Sequence, residues 1–163
     1  MSVRKDGVGD GAGEARAGAA DGSGPALPEG LTVLFAEDDL HIAEAVQDYL
    51  EDFGCRVLHA ADGLIALGMV QAGCSFDVLL TDLCMPRLDG ERLIRRVATL
   101  RPRTPVVVLS GSLPPRAATR LRPPPGAAIA LLEKPARSGE IMAAIMAVLP
   151  RPFLAAPTEL AAM

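Results

Sequence analysis

Leu31-Thr-Val-Leu-Phe-Ala-Glu-Asp-Asp39 decides the fold of this chain. A largely apolar, partly β-branched run ends abruptly in three consecutive carboxylates. An apolar run of that length, without polar alternation, reads as a strand buried on both faces. Glu37, Asp38 and Asp39 then stand at its C-terminal edge, where open α/β sheets bind ligands. Three adjacent acids repel one another. A sheet rim tolerates them where water solvates them or a hard cation sits among them.

Working outward, Asp39 can cap a helix whose apolar positions are Ile42, Ala45, Val46, Tyr49, Leu50 and Phe53, with Gly54 as its stop. Residues 56–60 form a short second strand. Asp62 opens a second helix that uses Leu64, Ile65, Leu67, Met69 and Val70 and ends at Gly73. Phe76 to Asp82 is a third strand, again ending in an acid. Met85-Pro86 and Asp89-Gly90 mark a loop, and residues 91–100 a helix with Leu93, Val97 and Leu100 on one face. Val106-Val-Val-Leu-Ser110 is a β-branched strand. A short helix follows around Pro115 to Leu121, and Pro123–Pro125 forbid its extension. Residues 127–132 are a fifth strand ending at Lys134-Pro135. Ser138 caps a last helix, residues 139–149. Strands and helices alternate five times, and connections of this length require parallel strands with right-handed crossovers. The expected architecture is a three-layer α/β/α sandwich with a five-stranded parallel sheet. Periodicity does not reveal strand order; 2-1-3-4-5 is the common one.

Composition narrows the function classes. At 163 residues, one domain is the default. Residues 1–29 are rich in Gly and Ala, without apolar periodicity, and read as a flexible tail; residues 30–150 are the domain and 151–163 a short C-terminal tail. The net charge of −4 argues against a nucleic-acid-binding surface. No apolar run is long enough to span a bilayer, and Arg4 and Lys5 are not followed by an apolar signal segment. Cys55, Cys74 and Cys84 lack paired spacing and read as free thiols. A cytoplasmic protein is expected.

Parallel strands share one carboxyl rim. That rim collects Glu37 and Asp38 from the first strand, Asp82 from the third, Ser110 from the fourth and Lys134 from the fifth. Lysine occurs only at positions 5 and 134. The three acids offer hard oxygen ligands for Mg²⁺. A carboxylate can act as nucleophile toward a phosphoryl group, and such transfer depends on positioning and charge neutralisation. Lys134 and the cation would supply positive charge, and Ser110 a hydrogen bond to a phosphate oxygen.

The four motifs Val33-Leu-Phe-Ala-Glu37-Asp38-Asp39, Asp77-Val-Leu-Leu-Thr-Asp82-Leu-Cys-Met-Pro86-Arg-Leu-Asp89-Gly90, Val107-Val-Leu-Ser110-Gly111 and Glu133-Lys134-Pro135 occur in that order. Together, over about residues 30–150, they resemble the response-regulator receiver domains of two-component signalling. The resemblance implies a flavodoxin-like receiver fold of strand order 2-1-3-4-5. It implies Asp82 as phosphoacceptor, Glu37 and Asp38 as the acidic pair holding Mg²⁺ with Asp82, and the Cys84 backbone carbonyl as completing the metal site. Ser110 matches the switch hydroxyl and Lys134 the phosphate-contacting lysine; the peptide before Pro135 is commonly cis in the family. The implied phosphodonor is a phosphohistidine on a histidine kinase or histidine phosphotransfer protein.

Two departures stand out. Where the family often carries a switch aromatic, three residues before the lysine, this chain has Leu131, so ring-to-hydroxyl coupling is unavailable. The fourth helix is short and proline-bounded, which alters the face normally used for signalling. From Ile141 to Leu149 no residue is polar. Ile141, Ile145 and Leu149 suit the core, while Met142 and Met146 are either extra core or a homodimer or partner contact. The chain is expected to work as a stand-alone receiver that signals by contact with an unknown downstream protein, by phosphate relay or as a phosphate sink, without enzymatic turnover of a separate substrate. The alternatives are a receiver-like adaptor that works without phosphorylation and a Mg²⁺-dependent phosphohydrolase. The second is disfavoured because Cys84 stands where those enzymes carry a second Asp.

Overall fold

The computed structural model describes residues 30–113, 117, 121 and 125–150. Five strands, β1 (Thr32–Ala36), β2 (Arg56–Ala60), β3 (Val78–Thr81), β4 (Val106–Ser110) and β5 (Ile129–Glu133), form one parallel sheet in the order β2-β1-β3-β4-β5. Among the described residues, four helices pack on it: α1 (Leu40–Asp52), α2 (Gly63–Gln71), α3 (Gly90–Leu100) and α4 (Ser138–Val148). The expected α/β sandwich and strand order are both present. Both tails lie outside the described residues, as does most of the proline-bounded fourth-helix segment. Of that segment, Ala117 and Leu121 are described; both are buried and joined by a 2.8 Å bond from the Leu121 N–H to the Ala117 carbonyl.

The period of two along each strand sorts side chains into two cores. Val33 and Phe35 of β1, Val78 and Leu80 of β3, and Val107 and Leu109 of β4 face α1 and α4. Leu34, Ala36, Leu79, Val106 and Val108 face the opposite layer with α2 and α3. Both layers need the apolar residues that made these runs legible, and each fully buried Leu or Val contributes about 1.5–3 kcal/mol. This double burial fixes the register, because a slip of one residue would exchange the two cores.

The helix faces differ from expectation in several places. In α1 the buried stripe is Ala43, Val46 and Leu50; Ala45 is exposed, and Phe53 lies half-exposed just past the helix, its ring tilted 46° against Tyr49 with centroids 4.8 Å apart. In α2, Leu64 and Ile65 point to solvent while Ala66, Leu67 and Val70 are buried. In α3, Leu100 is exposed and Ile94 takes its place in the core. Ser138 is the first residue of α4 and does not cap it; the Glu140 carboxylate accepts the Arg137 N–H at 2.7 Å instead. Met142 is buried in the α1/α4 core with Ile141, Ile145 and Val148, so the extra-core reading holds for it. Met146 is half-buried against the same core, leaving Ala143 and Ala147 as the open stripe of α4. Among the described residues no helix is long and apolar enough to cross a membrane.

Candidate functional site

The carboxyl ends of β1, β3, β4 and β5 meet at one rim, as parallel pairing dictates. Asp82 follows β3 directly, and its N–H bonds the Ala36 carbonyl at 3.0 Å, which ties it to the end of β1. Lys134 follows β5, and its N–H bonds the Ser110 carbonyl at 2.9 Å. These backbone bonds place the side chains before any charge attraction acts.

The Lys134 ammonium donates to Asp82 Oδ2 and to Glu37 Oε2, each at 2.7 Å. The other Asp82 oxygen, Oδ1, accepts the backbone N–H groups of Leu83 and Cys84, the latter at 3.1 Å. Glu37 Oε1 accepts the Asp39 N–H at 3.3 Å. Glu37 is 1% exposed and Asp82 6%, whereas Asp38 faces solvent, so the acids run from buried to open. One carboxylate oxygen from each of Glu37, Asp38 and Asp82 lies within 4.8 Å of the other two. Such a triad, with water and a phosphate oxygen completing the shell, suits the coordination Mg²⁺ prefers. The residues present therefore fit the cation.

Electrostatics separate the two buried acids. Burial, the largest influence, pushes the Glu37 carboxyl above its ordinary value, and its bond to Lys134 only partly offsets this. Burial also opposes ionisation of Asp82. There it is outweighed by the Lys134 ammonium, the Cys84 N–H and the nearby Ser110 hydroxyl, so the carboxyl lies below the usual range. Lys134 would be lowered by burial, but its two carboxylate partners hold it above the ordinary lysine value. Asp82 is thus an ionised, oriented carboxylate at neutral pH, braced by a permanent cation.

The remaining predicted residues take these places. Ser110 is fully buried; its hydroxyl lies 3.4 Å from the Ser112 carbonyl, at the long end of hydrogen bonding. The Lys134–Pro135 peptide is cis. Cys84 is exposed, with its amide turned to Asp82. Leu131 pairs in register with Val108 and packs, half-buried, on the α2/α3 side of the sheet. A groove of about 600 Å³ between α1 and the start of α4 opens beside Lys134; its lining includes His41, Tyr49, Pro135 and Ile141.

Three contacts were not legible in the sequence. His59 Nε2 lies 2.9 Å from the Glu37 carbonyl and fixes the end of β1 against β2. Gly90 begins α3 so close to the phosphoacceptor candidate that a Cβ there would sit 2.0 Å from the Asp82 carbonyl oxygen. The fully buried Asp62 pairs with Arg87 in the loop after β3. Only Gly90 carried a signal, as half of the Asp-Gly turn.

Comparison with known proteins agrees with this geometry. Residues 33–146 match the response regulator receiver domain family. The chain is 34% identical over 79 residues to the response regulator receiver protein CpdR of Brucella abortus, a match covering 48% of this chain and 65% of that protein. It is 31% identical over 87 residues to transcription factor SKN7 of Saccharomyces cerevisiae, covering 53% of this chain but 14% of that much longer protein. Among solved structures, chemotaxis protein CheY4 of Vibrio cholerae superposes with a TM-score of 0.65 at 27% identity, over 74% of this chain and 99% of that one. A receiver protein from Sinorhizobium medicae gives the same TM-score at 25% identity, over 77% and 95%. With the sheet order, the acidic rim and the family match in agreement, the chain belongs to the response regulator receiver domains of two-component signalling.

Proposed function

We propose that this receiver domain accepts a phosphoryl group onto Asp82 from a phosphohistidine of a histidine kinase or histidine phosphotransfer protein, with Mg²⁺ as cofactor, and signals by protein contact. One observation carries the reading. A single carboxylate has one oxygen held by two backbone N–H groups and the other on a lysine, beside two further acids. Asp82 Oδ would attack phosphorus, forming an O–P bond, while the P–N bond breaks and its electron pair leaves with the imidazole. The transferred group arrives with negative charge, and Lys134 balances it at the oxygens. Glu37, Asp38, Asp82 and the Cys84 carbonyl would hold Mg²⁺, which supplies charge neutralisation for the transfer when bound. Ser110 would reach a phosphate oxygen, drawing its loop inward and shifting a two-state equilibrium. Because Leu131 offers no ring to follow that motion, the β4–β5 connection itself would carry the change. The domain is proposed to turn over only its own phosphoryl group.

The test is labelling with a small-molecule phosphodonor or a phosphorylated histidine protein. Mg²⁺-dependent, acid-stable and base-labile labelling that vanishes in Asp82→Asn is expected. Labelling of equal extent in that variant would refute the site. Turnover of a phosphate monoester would favour a phosphohydrolase, and partner binding indifferent to a phosphate mimic would favour an adaptor.

A further inference from the structure

The loop between β3 and α3 carries the Cys84 carbonyl, and one side of it is tied to a different part of the fold. Arg87 has φ +64, in the left-handed region that a long side chain enters at a cost. The Leu88 N–H bonds the Pro86 carbonyl at 2.7 Å across it, closing a tight γ-turn of the uncommon positive-φ kind. Such a turn persists only where its surroundings over-determine it. Two contacts with the start of α2 do so. Gly63 lies against the turn so closely that a Cβ would fall 2.2 Å from the Leu88 carbonyl oxygen. The Arg87 guanidinium forms an ion pair with Asp62 Oδ2.

Asp62 divides its carboxylate between two tasks. Oδ1 accepts the Ile65 N–H at 2.8 Å and caps α2. Oδ2 is buried and has no partner among the described residues except Arg87. The side chain is 0% exposed, whereas Arg87 is 56% exposed and lies over it as a lid. A buried carboxylate oxygen with a single cationic partner holds that partner tightly, since losing it would leave the charge uncompensated. The pull acts on the backbone three residues beyond Cys84. On the near side Asp82 anchors the loop through the Leu83 and Cys84 amides, and the buried Met85 fastens it between.

We infer that Asp62 and Arg87 are positioning residues that clamp the β3–α3 loop so that the Cys84 carbonyl is preset toward the cation at Glu37, Asp38 and Asp82. The inference rests on the Mg²⁺ site of the proposed function. Partners that orient a metal's ligands govern affinity for the ion without touching it.

The test measures the Mg²⁺ dissociation constant of the full, unphosphorylated chain by calorimetry. Arg87→Ala and Asp62→Asn each remove the ion pair, and Asn retains the α2 cap. Both are expected to weaken Mg²⁺ binding about 10-fold, with the labelling rate recovered to within about 2-fold of wild type at saturating Mg²⁺. Arg87→Lys keeps a cation and is expected to restore affinity. Arg87→Gly relieves the backbone but lacks the cation and is expected to bind as weakly as Arg87→Ala. Wild-type affinity in Arg87→Ala and Asp62→Asn would overturn the clamp, whatever happens to their thermal stability. So would wild-type affinity in Arg87→Gly, or failure of Arg87→Lys to restore it. A wild-type chain that binds no Mg²⁺ would instead overturn the metal site itself, and the clamp with it.

Discussion

Gly90→Ala tests how closely the proposed phosphoacceptor, Asp82, depends on its packing. A Cβ at Gly90 would meet the Asp82 carbonyl oxygen at 2.0 Å and the Asp82 carbonyl carbon and Leu83 Cα at 2.9 Å. All three are backbone atoms, so no side chain can swing aside. Ordinary contact begins at 3.4 Å, so α3 and the segment 82–83 must separate by roughly 1.4 Å. The Gly90 N–H to Leu83 carbonyl bond, 3.0 Å, stretches or breaks in the process. Overpacking of this kind costs about 1–3 kcal/mol, which lowers Tm by about 4–12 °C in a domain of this size. The function should suffer more than the stability, because a displacement of about 1 Å at reacting groups costs about 10²-fold in rate. The assay is the Mg²⁺-dependent labelling rate with a small phosphodonor, at a temperature where circular dichroism shows the variant fully folded. Gly111→Ala is the control, since nothing lies within 4 Å of a Cβ there. A folded Gly90→Ala protein labelled within 2-fold of wild type would refute the reasoning.

Further outcomes follow from other positions. Gly68 is an interior residue of α2 where an added Cβ would meet open space, so Gly68→Ala should stabilise by about 0.5–1 kcal/mol in chemical denaturation. Burial raises the Glu37 pKa, so its contribution to stability is present below its unfolded value near 4.5 and is lost as pH rises through the folded value. Glu37→Gln should therefore raise Tm at neutral pH without Mg²⁺, and the difference should shrink or reverse when Mg²⁺ is added. Lys134 shifts upward through its carboxylate partners, against the effect of burial, so its stabilisation is present below 10.5 and lost as pH rises through the folded value; Lys134→Met should flatten that alkaline limb.

The sheet was legible because its central strands β1, β3 and β4 are buried on both faces, and β-branched and aliphatic runs have few other uses. β2, from Arg56 to Ala60, and β4, from Val106 to Ser110, begin and end where periodicity placed them. Strand β3 is shorter than its apolar run. Phe76 and Asp77 precede it; the Asp77 N–H still bonds the Thr32 carbonyl at 2.8 Å, while the Thr32 N–H is taken by Asp77 Oδ2, also at 2.8 Å, and not by a backbone carbonyl. Helix faces were less legible where apolar residues surround the axis. In α2 and α4 nearly every position is apolar, so the buried stripe depends on which neighbour comes closest, and Met142 went inward while Leu64 and Ile65 did not. The rim residues were legible although Glu37 and Lys134 stand 97 positions apart, because parallel strands bring their ends together whatever the intervening chain. The Asp62–Arg87 pair had no comparable signal. An acid at a helix start already has a local use as a cap, and only tertiary approach reveals its second partner.

The proposed function rests on Asp82, and no other carboxylate of the rim, carrying the phosphoryl group. Its most direct test is chemical trapping of the acyl phosphate after Mg²⁺-dependent phosphorylation, followed by peptide mapping by mass spectrometry. A single modified residue, Asp82, is expected, with none found when Mg²⁺ is chelated. Modification at Glu37, Asp38 or a residue outside the rim, with Asp82 untouched, would contradict it.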